Sequence, residues 1–153
     1  MSELIFRYAT EADLLTVIQL LADDEYAEAR EKGGESVAPE YAEAFAAMQK
    51  MPGNRLLLAE QDGKIVGTLQ LVFLPGLSRR GTTRAFIEAV RVTSDMRGKN
   101  IGTQLMKHAI AEARAAGCKL VQLTSDKRRT RAHLFYRRLG FDQSHAGFKL
   151  ELK

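Results

Sequence analysis

The stretch that most limits how this chain can fold runs from residue 85 to residue 117. A β-type run over 85–92 is broken at 95–98, and from Ile101 the apolar residues Leu105, Ala109, Ile110 and Ala113 recur at helical spacing until Gly117, which reads as a C-cap. A strand thus leads through a basic, glycine-containing loop straight into a helix. That join aims unpaired backbone N–H groups and the positive end of the helix dipole at one spot, a ready site for phosphate oxygens. Small residues in the loop let an anion approach the backbone closely. The loop is neither Gly-x4-Gly-Lys-Ser/Thr nor Gly-x-Gly-x-x-Gly, so the two nucleotide folds that carry those signatures are disfavoured.

The other elements read in order along the chain. A short strand over 4–8 ends at Thr10, which with Asp13 makes a capping box for a helix. Leu14, Leu15, Ile18, Leu21 and Ala22 form its apolar stripe, and Gly33-Gly34 is where the pattern stops. Pro39 opens a second helix with Tyr41, Ala42, Phe45, Ala46 and Met48, closed by Pro52-Gly53. Strands over 55–60 and 65–73 flank the turn Gln61-Asp62-Gly63-Lys64 as a hairpin, and Pro75-Gly76 marks a loop. A strand over 119–123, a helix over 132–139 ended by Gly140, and a strand-like alternation over 148–152 complete the chain. Strands cluster mid-chain and then alternate with helices, which predicts a mixed sheet covered by helices.

With 153 residues the chain has the size of one domain, expected to span 1–153, and its 45% hydrophobic and 27% charged residues suit a globular protein. The longest mainly apolar run, 65–77, is interrupted and falls short of the roughly 20 residues that span a bilayer. No secretory leader is legible, and the single cysteine, Cys118, fits a reducing compartment as a small core residue, so the expected location is cytoplasmic. His108, His133 and His145 lack metal-ligand spacing, and no metal is expected. Charge is split unevenly. Residues 1–62 carry a net −8 and residues 63–153 a net +12, so the second half is suited to an anion, either nucleic acid or a phosphorylated cofactor.

Residues 97–102 resemble the acetyl-CoA pyrophosphate loop of the GCN5-related N-acetyltransferases, Arg/Gln-x-x-Gly-x-Gly/Ala. Arg97 and Gly102 match its ends, and Asn100 stands at the usual first glycine as the residue next best able to adopt left-handed geometry. Ala132 to Phe141 is similar to the same family's Ala-x-x-x-Tyr-x-x-x-Gly-Phe segment. The order of elements also resembles that family from Leu4 onward, and the C-terminal part through Ser144, His145 and Phe148 is similar to small-molecule amine acetyltransferases, including those acting on aminoalkylphosphonates.

The resemblance implies a mixed α/β (α+β) fold with a central, mostly antiparallel sheet flanked by helices and splayed between the strands 85–92 and 119–123, where a pantetheine arm enters. It implies that Gly98, Lys99, Asn100, Ile101, Gly102 and Thr103, with Arg97, hold the pyrophosphate, and that main-chain groups of Val90, Arg91 and Val92 align pantetheine like an added strand. Glu88 lies where many members take the amine's proton, and partial burial would raise its pKa toward that role; the plain alternative is a solvent-facing strand residue. Tyr136 would protonate the departing thiolate, against the alternative of a half-buried core aromatic. A backbone N–H near Val92 would face the oxyanion. Arg129 stands where many relatives have Asn, within the basic run 127–131, which either attracts CoA phosphates or is a solvated turn.

The expected activity is acetyl transfer from acetyl-CoA to a primary amine of a small molecule or peptide by direct attack in a ternary complex. Two other classes stay open: a non-catalytic CoA-sensing module, and a nucleic-acid-binding protein that uses 127–131. Nucleic acid is the less favoured partner, no membrane partner is expected, and a homodimer is compatible with the sequence. Asp23, Asp24, Glu25, Glu28, Glu40 and Glu43 on the first two helices are expected to tint the acceptor entrance negative and favour a cationic amine over an aminophosphonate.

Overall fold

Asp62 and Gly63 sit at φ 53° and 77°, the left-handed pair that closes a two-residue hairpin between β2 (Asn54–Gln61) and β3 (Lys64–Leu74). In a computed structural model, which describes residues 2–27 and 30–152, this hairpin is the middle of a five-stranded sheet ordered β1-β2-β3-β4-β5. β1 is Ile5–Tyr8, β4 is Arg84–Val92 and β5 is Leu120–Gln122. Every pairing is antiparallel except β4 with β5, so the sheet is mixed and mostly antiparallel as expected.

The described chain falls into two compact units, Met1–Gln122 and Leu123–Lys153. In the first, α1 (Leu14–Ala22) and α2 (Pro39–Gln49) cover one face of the sheet, where Leu14, Ile18 and Phe45 pack with Leu56, Val37 and Tyr41. α3 (Ile101–Ala115) covers the opposite face and buries Leu105, Met106 and Ala109 over the fully buried strand residues Leu57, Leu69, Leu71 and Ile87. The capping box forms: the Asp13 carboxylate accepts from Thr10 N at 2.7 Å and is held by a bidentate bond from Arg7 at 2.8 and 2.9 Å. No helix among the described residues is long and apolar enough to cross a membrane.

Two expectations are corrected. α1 stops at Ala22 instead of running on to Gly33, because Asp23, Asp24 and Glu25 meet the negative end of its dipole. The second unit consists of α4 (Thr130–Arg138) and flanking segments, and residues 148–152 form no strand. Alternation supplies two faces, but a strand also needs a neighbour for its N–H and C=O groups.

Candidate functional site

β4 pairs with β5 at only three positions, Arg84↔Leu120, Ala85↔Val121 and Phe86↔Gln122. Beyond Phe86, β4 continues to Val92 with that edge unpaired in the sheet, because β5 ends at Gln122. On its other edge β4 stays paired with β3 through a bulge: Gln70 faces Glu88 and Thr68 faces Arg91, leaving Ala89 and Val90 opposite Leu69 alone. Ala89 takes φ 51°, a left-handed value unusual for a residue with a Cβ. The bulge re-aims the strand. Up to Glu88 the residues Arg84, Phe86 and Glu88 share the face covered by α1 and α2, while Ala85 and Ile87 are buried on the α3 side.

After β4 the chain turns through a loop with left-handed residues into the start of α3. Gly98 and Asn100 adopt φ 81° and 64°, and the first helical bond of α3 runs from Gln104 N to Asn100 O at 3.1 Å. The N–H groups of Ile101, Gly102 and Thr103 therefore precede the ladder and point out of the helix start. Ile101 is buried and anchors the turn, Gly102 and Thr103 are half-buried, and Arg97, Gly98, Lys99 and Asn100 are exposed. The Thr93 hydroxyl, beside this loop in sequence, is buried without a hydrogen-bond partner. Unpaired amides, two cationic side chains and an orphaned hydroxyl fit a pyrophosphate-bearing group.

Sequence reasoning missed Gly67 of β3. A Cβ there would lie 3.3 Å from Arg91 O and 3.4 Å from Ile101 Cγ2 and Leu105 Cδ2, so glycine lets the start of α3 sit tight on the sheet. A glycine inside a strand was the available signal. Also missed was the fate of Arg91, whose side chain leaves the splayed edge. Its Nη2 pairs with Asp24 Oδ2 at 3.4 Å, with side chains only 13% and 9% exposed, and its Nη1 donates to Val90 O at 2.9 Å. This buried pair ties the end of α1 to β4.

Of the two readings left open for Glu88, its surroundings match the solvent-facing one. It is exposed rather than partly buried, so the desolvation on which its role as a base was argued is missing. Its cross-strand neighbour Gln70 donates to Asn54 Oδ1 at 2.8 Å, a polar row that sequence reasoning did not single out. The acidic field is also smaller than expected. Asp24 is neutralised by Arg91, Glu40 is bound by Lys32 at 2.9 Å, Glu28 lies outside the described residues, and only Asp23, Glu25 and Glu43 stand exposed without a described ion pair.

In the second unit, Tyr136 is half-buried on α4 with Phe135 at 5.2 Å and Phe141 at 6.0 Å between ring centroids. Arg129 is half-buried at the N-cap of α4. Within the basic run, Arg128 grips Asp126 with Nε at 3.0 Å and Nη2 at 2.7 Å, which holds the Asp126 carboxyl well below the usual range and subtracts one charge from the patch. Burial pushes the Cys118 thiol up, away from reactivity. Among the described residues no group of three or more His, Cys, Asp or Glu side chains is arranged to hold a metal ion.

The model of the acetyltransferase (GNAT) family matches residues 15–141. An aminoalkylphosphonate N-acetyltransferase of Salmonella typhimurium is 37% identical over 108 residues, 71% of this chain and 70% of that protein. A glucosamine 6-phosphate N-acetyltransferase of Trypanosoma brucei brucei is 28% identical over 152 residues, 98% of this chain and 97% of that one. Among solved structures, a transcriptional regulator from Bacillus halodurans superposes with a TM-score of 0.94 at 42% identity, covering 98% of this chain and 100% of its own.

Proposed function

The chain belongs to the GNAT family of acetyltransferases, and from that premise we propose that it moves the acetyl group of acetyl-CoA to the primary amine of a small molecule by direct attack in a ternary complex, as one catalytic domain over 1–153 in the cytoplasm. The observation that carries this reading is the edge of β4 left unpaired in the sheet beyond Phe86, leading to a helix start with three unclaimed amides.

The residues divide the work by position. Amides of Ile101, Gly102 and Thr103 bind the pyrophosphate, Arg97 and Lys99 add charge, and the left-handed Gly98 and Asn100 shape the loop around it. Main-chain groups of Val90, Arg91 and Val92 pair with the extended pantetheine arm, and Arg129 draws the CoA phosphates. Acetyl-CoA, when bound, supplies an activated acyl carbon. Glu88 accepts the amine's proton as the N–C bond forms, working from an exposed position and therefore through solvent. A backbone N–H near Val92 donates to the oxyanion, and the Tyr136 hydroxyl gives its proton to the thiolate as the C–S bond breaks.

For the acceptor, the reduced acidic field removes the reason to favour a cation. Arg84 lies on the same face as Glu88, four residues earlier and roughly 13 Å away at about 3.3 Å per residue, with Phe86 between them. An amine delivered to Glu88 with an anionic group at its other end reaches that guanidinium, and the names of both curated relatives describe acceptors of this kind. The test is a panel of aminoalkylphosphonates, amino sugar phosphates and polyamines with acetyl-CoA and a free-thiol readout. Turnover confined to anionic amines, with KM raised about 10-fold or more in Arg84→Ala, is the expected result. A preference for polyamines overturns the acceptor assignment, and no thiol release from any amine overturns the activity.

A further inference from the structure

Gln70 of β3 stands opposite Glu88 of β4, so the two side chains leave the same face of the sheet at neighbouring positions, about 5 Å apart between Cβ atoms. On its other side Gln70 stands opposite Leu56 of β2, which packs with α1 and α2. Gln70 and Asn54 are half-buried there, and Glu88 is exposed. The hydrogen bonds of this row settle which way the Gln70 amide is turned. Asn54 Nδ2 donates to Met51 Sδ at 3.7 Å, and a thioether sulfur can only accept, so Asn54 presents Oδ1 to Gln70. That oxygen needs a donor, and Gln70 Nε2 supplies it at 2.8 Å. The carbonyl oxygen of the amide, Gln70 Oε1, is left as an acceptor that no group among the described residues fills.

We propose that Gln70 determines specificity for the acceptor: its Oε1 accepts an N–H of the attacking amine, and Asn54 holds the amide so that this oxygen is the atom offered. The proposal rests on the acetyl-transfer reading above. When a neutral primary amine attacks, the N–C bond forms and the nitrogen carries two hydrogens. One leaves as the proton that Glu88 takes through solvent, while the C–S bond breaks and the thiolate takes the Tyr136 proton. The other stays on nitrogen, becomes the amide hydrogen of the product, and donates to Gln70 Oε1 throughout. A secondary amine brings a single N–H. Once Glu88 has taken that proton, an alkyl group stands against Gln70 Oε1 and the oxygen goes unfilled. The row therefore selects primary over secondary amines by one hydrogen bond, worth about 10-fold.

The experiment measures kcat/KM by thiol release for two matched pairs, aminomethylphosphonate with its N-methyl derivative and putrescine with its N,N′-dimethyl derivative, with Tm and acetyl-CoA affinity as controls. Gln70→Leu is expected to lower kcat/KM about 10-fold for the primary amine and little for the methylated one, so that their ratio collapses. Asn54→Leu, which frees the Gln70 amide to turn, should lower the ratio in the same direction by less. Asn54→Asp, which still accepts from Gln70 Nε2, should keep it. Equal losses for both amines in Gln70→Leu mark a merely structural role and overturn the proposal. So does an unchanged ratio in Gln70→Leu, a methylated amine that stays inert in that variant, or a wild-type ratio in Asn54→Leu, and in each case the acetyl-transfer activity stands. A wild-type chain that releases thiol with no amine overturns that activity and this proposal with it.

Discussion

The two ends of β4 present different kinds of site. At its C-terminal end the proposed site is made of backbone: left-handed Gly98 and Asn100, and the amides of residues 101–103. On the face of its N-terminal half the proposed acceptor site is made of side chains, Arg84, Phe86 and Glu88, with Gln70 and Asn54 across the sheet. A backbone site needs particular residues to reach its conformation, so it leaves a mark in the sequence. A side-chain site on an exposed face asks only for alternation, and alternation is what any strand shows.

The comparison breaks most sharply at Gly102. Replacing it with Glu puts a side chain and a negative charge at a site built from half-buried backbone, and acetyl-CoA affinity by calorimetry is expected to fall more than about 100-fold with the fold intact. Unchanged affinity would remove the loop from the binding site. Next in size is Tyr136→Phe, expected to lower kcat on the order of 10- to 1000-fold while leaving acetyl-CoA affinity nearly intact, since only the thiolate's proton donor is lost. Glu88→Gln should cost less, about 10-fold in kcat/KM, and most at low pH where the amine is largely protonated. Wild-type rates for both variants across the pH range would cancel these roles.

A third test concerns what joins the two regions. Asp24→Ala removes the carboxylate that faces the Arg91 guanidinium where both side chains are nearly buried, and breaking such a pair costs about 3 kcal/mol or more. Chemical denaturation should show that loss, and the weakened tie between α1 and β4 should raise KM for the acceptor before it affects acetyl-CoA. A stability change below about 1 kcal/mol would mean that water replaces the carboxylate.

What the sequence disclosed follows the same division. The Asp62-Gly63 turn, the cap at Thr10 and Asp13, and the start of α3 were legible because each depends on local conformation that few residues adopt. The length of α1 was not, because an apolar period says where a helix is stabilised and not where three acids end it. The strand expected over 148–152 does not form, because alternation describes two faces and not whether a neighbour is there to pair with the backbone. At the site, Asn100 in left-handed geometry was foreseen from its side chain, whereas the Asp24–Arg91 pair joins residues 67 positions apart and has no local signature. Glu88 was placed on the right strand with its exposure left open between two readings, since alternation gives a face but not what covers it.

The smallest expected effect is at Ala89, where the two regions meet. Its φ of 51° costs roughly 1 kcal/mol for a residue with a Cβ, and the bulge it forms lets Glu88 and Arg91 both face the α1 side although three positions separate them. Ala89→Gly relieves that strain but adds freedom to the unfolded chain, and the two terms are of similar size. Tm is therefore expected to move by no more than about 2 °C, with activity retained. Ala89→Val, whose branched Cβ resists left-handed geometry, should lower Tm by several degrees and reduce kcat/KM more than it reduces acetyl-CoA affinity. If valine is tolerated as well as glycine in both measurements, the bulge does not position Glu88, and the two ends of β4 act independently.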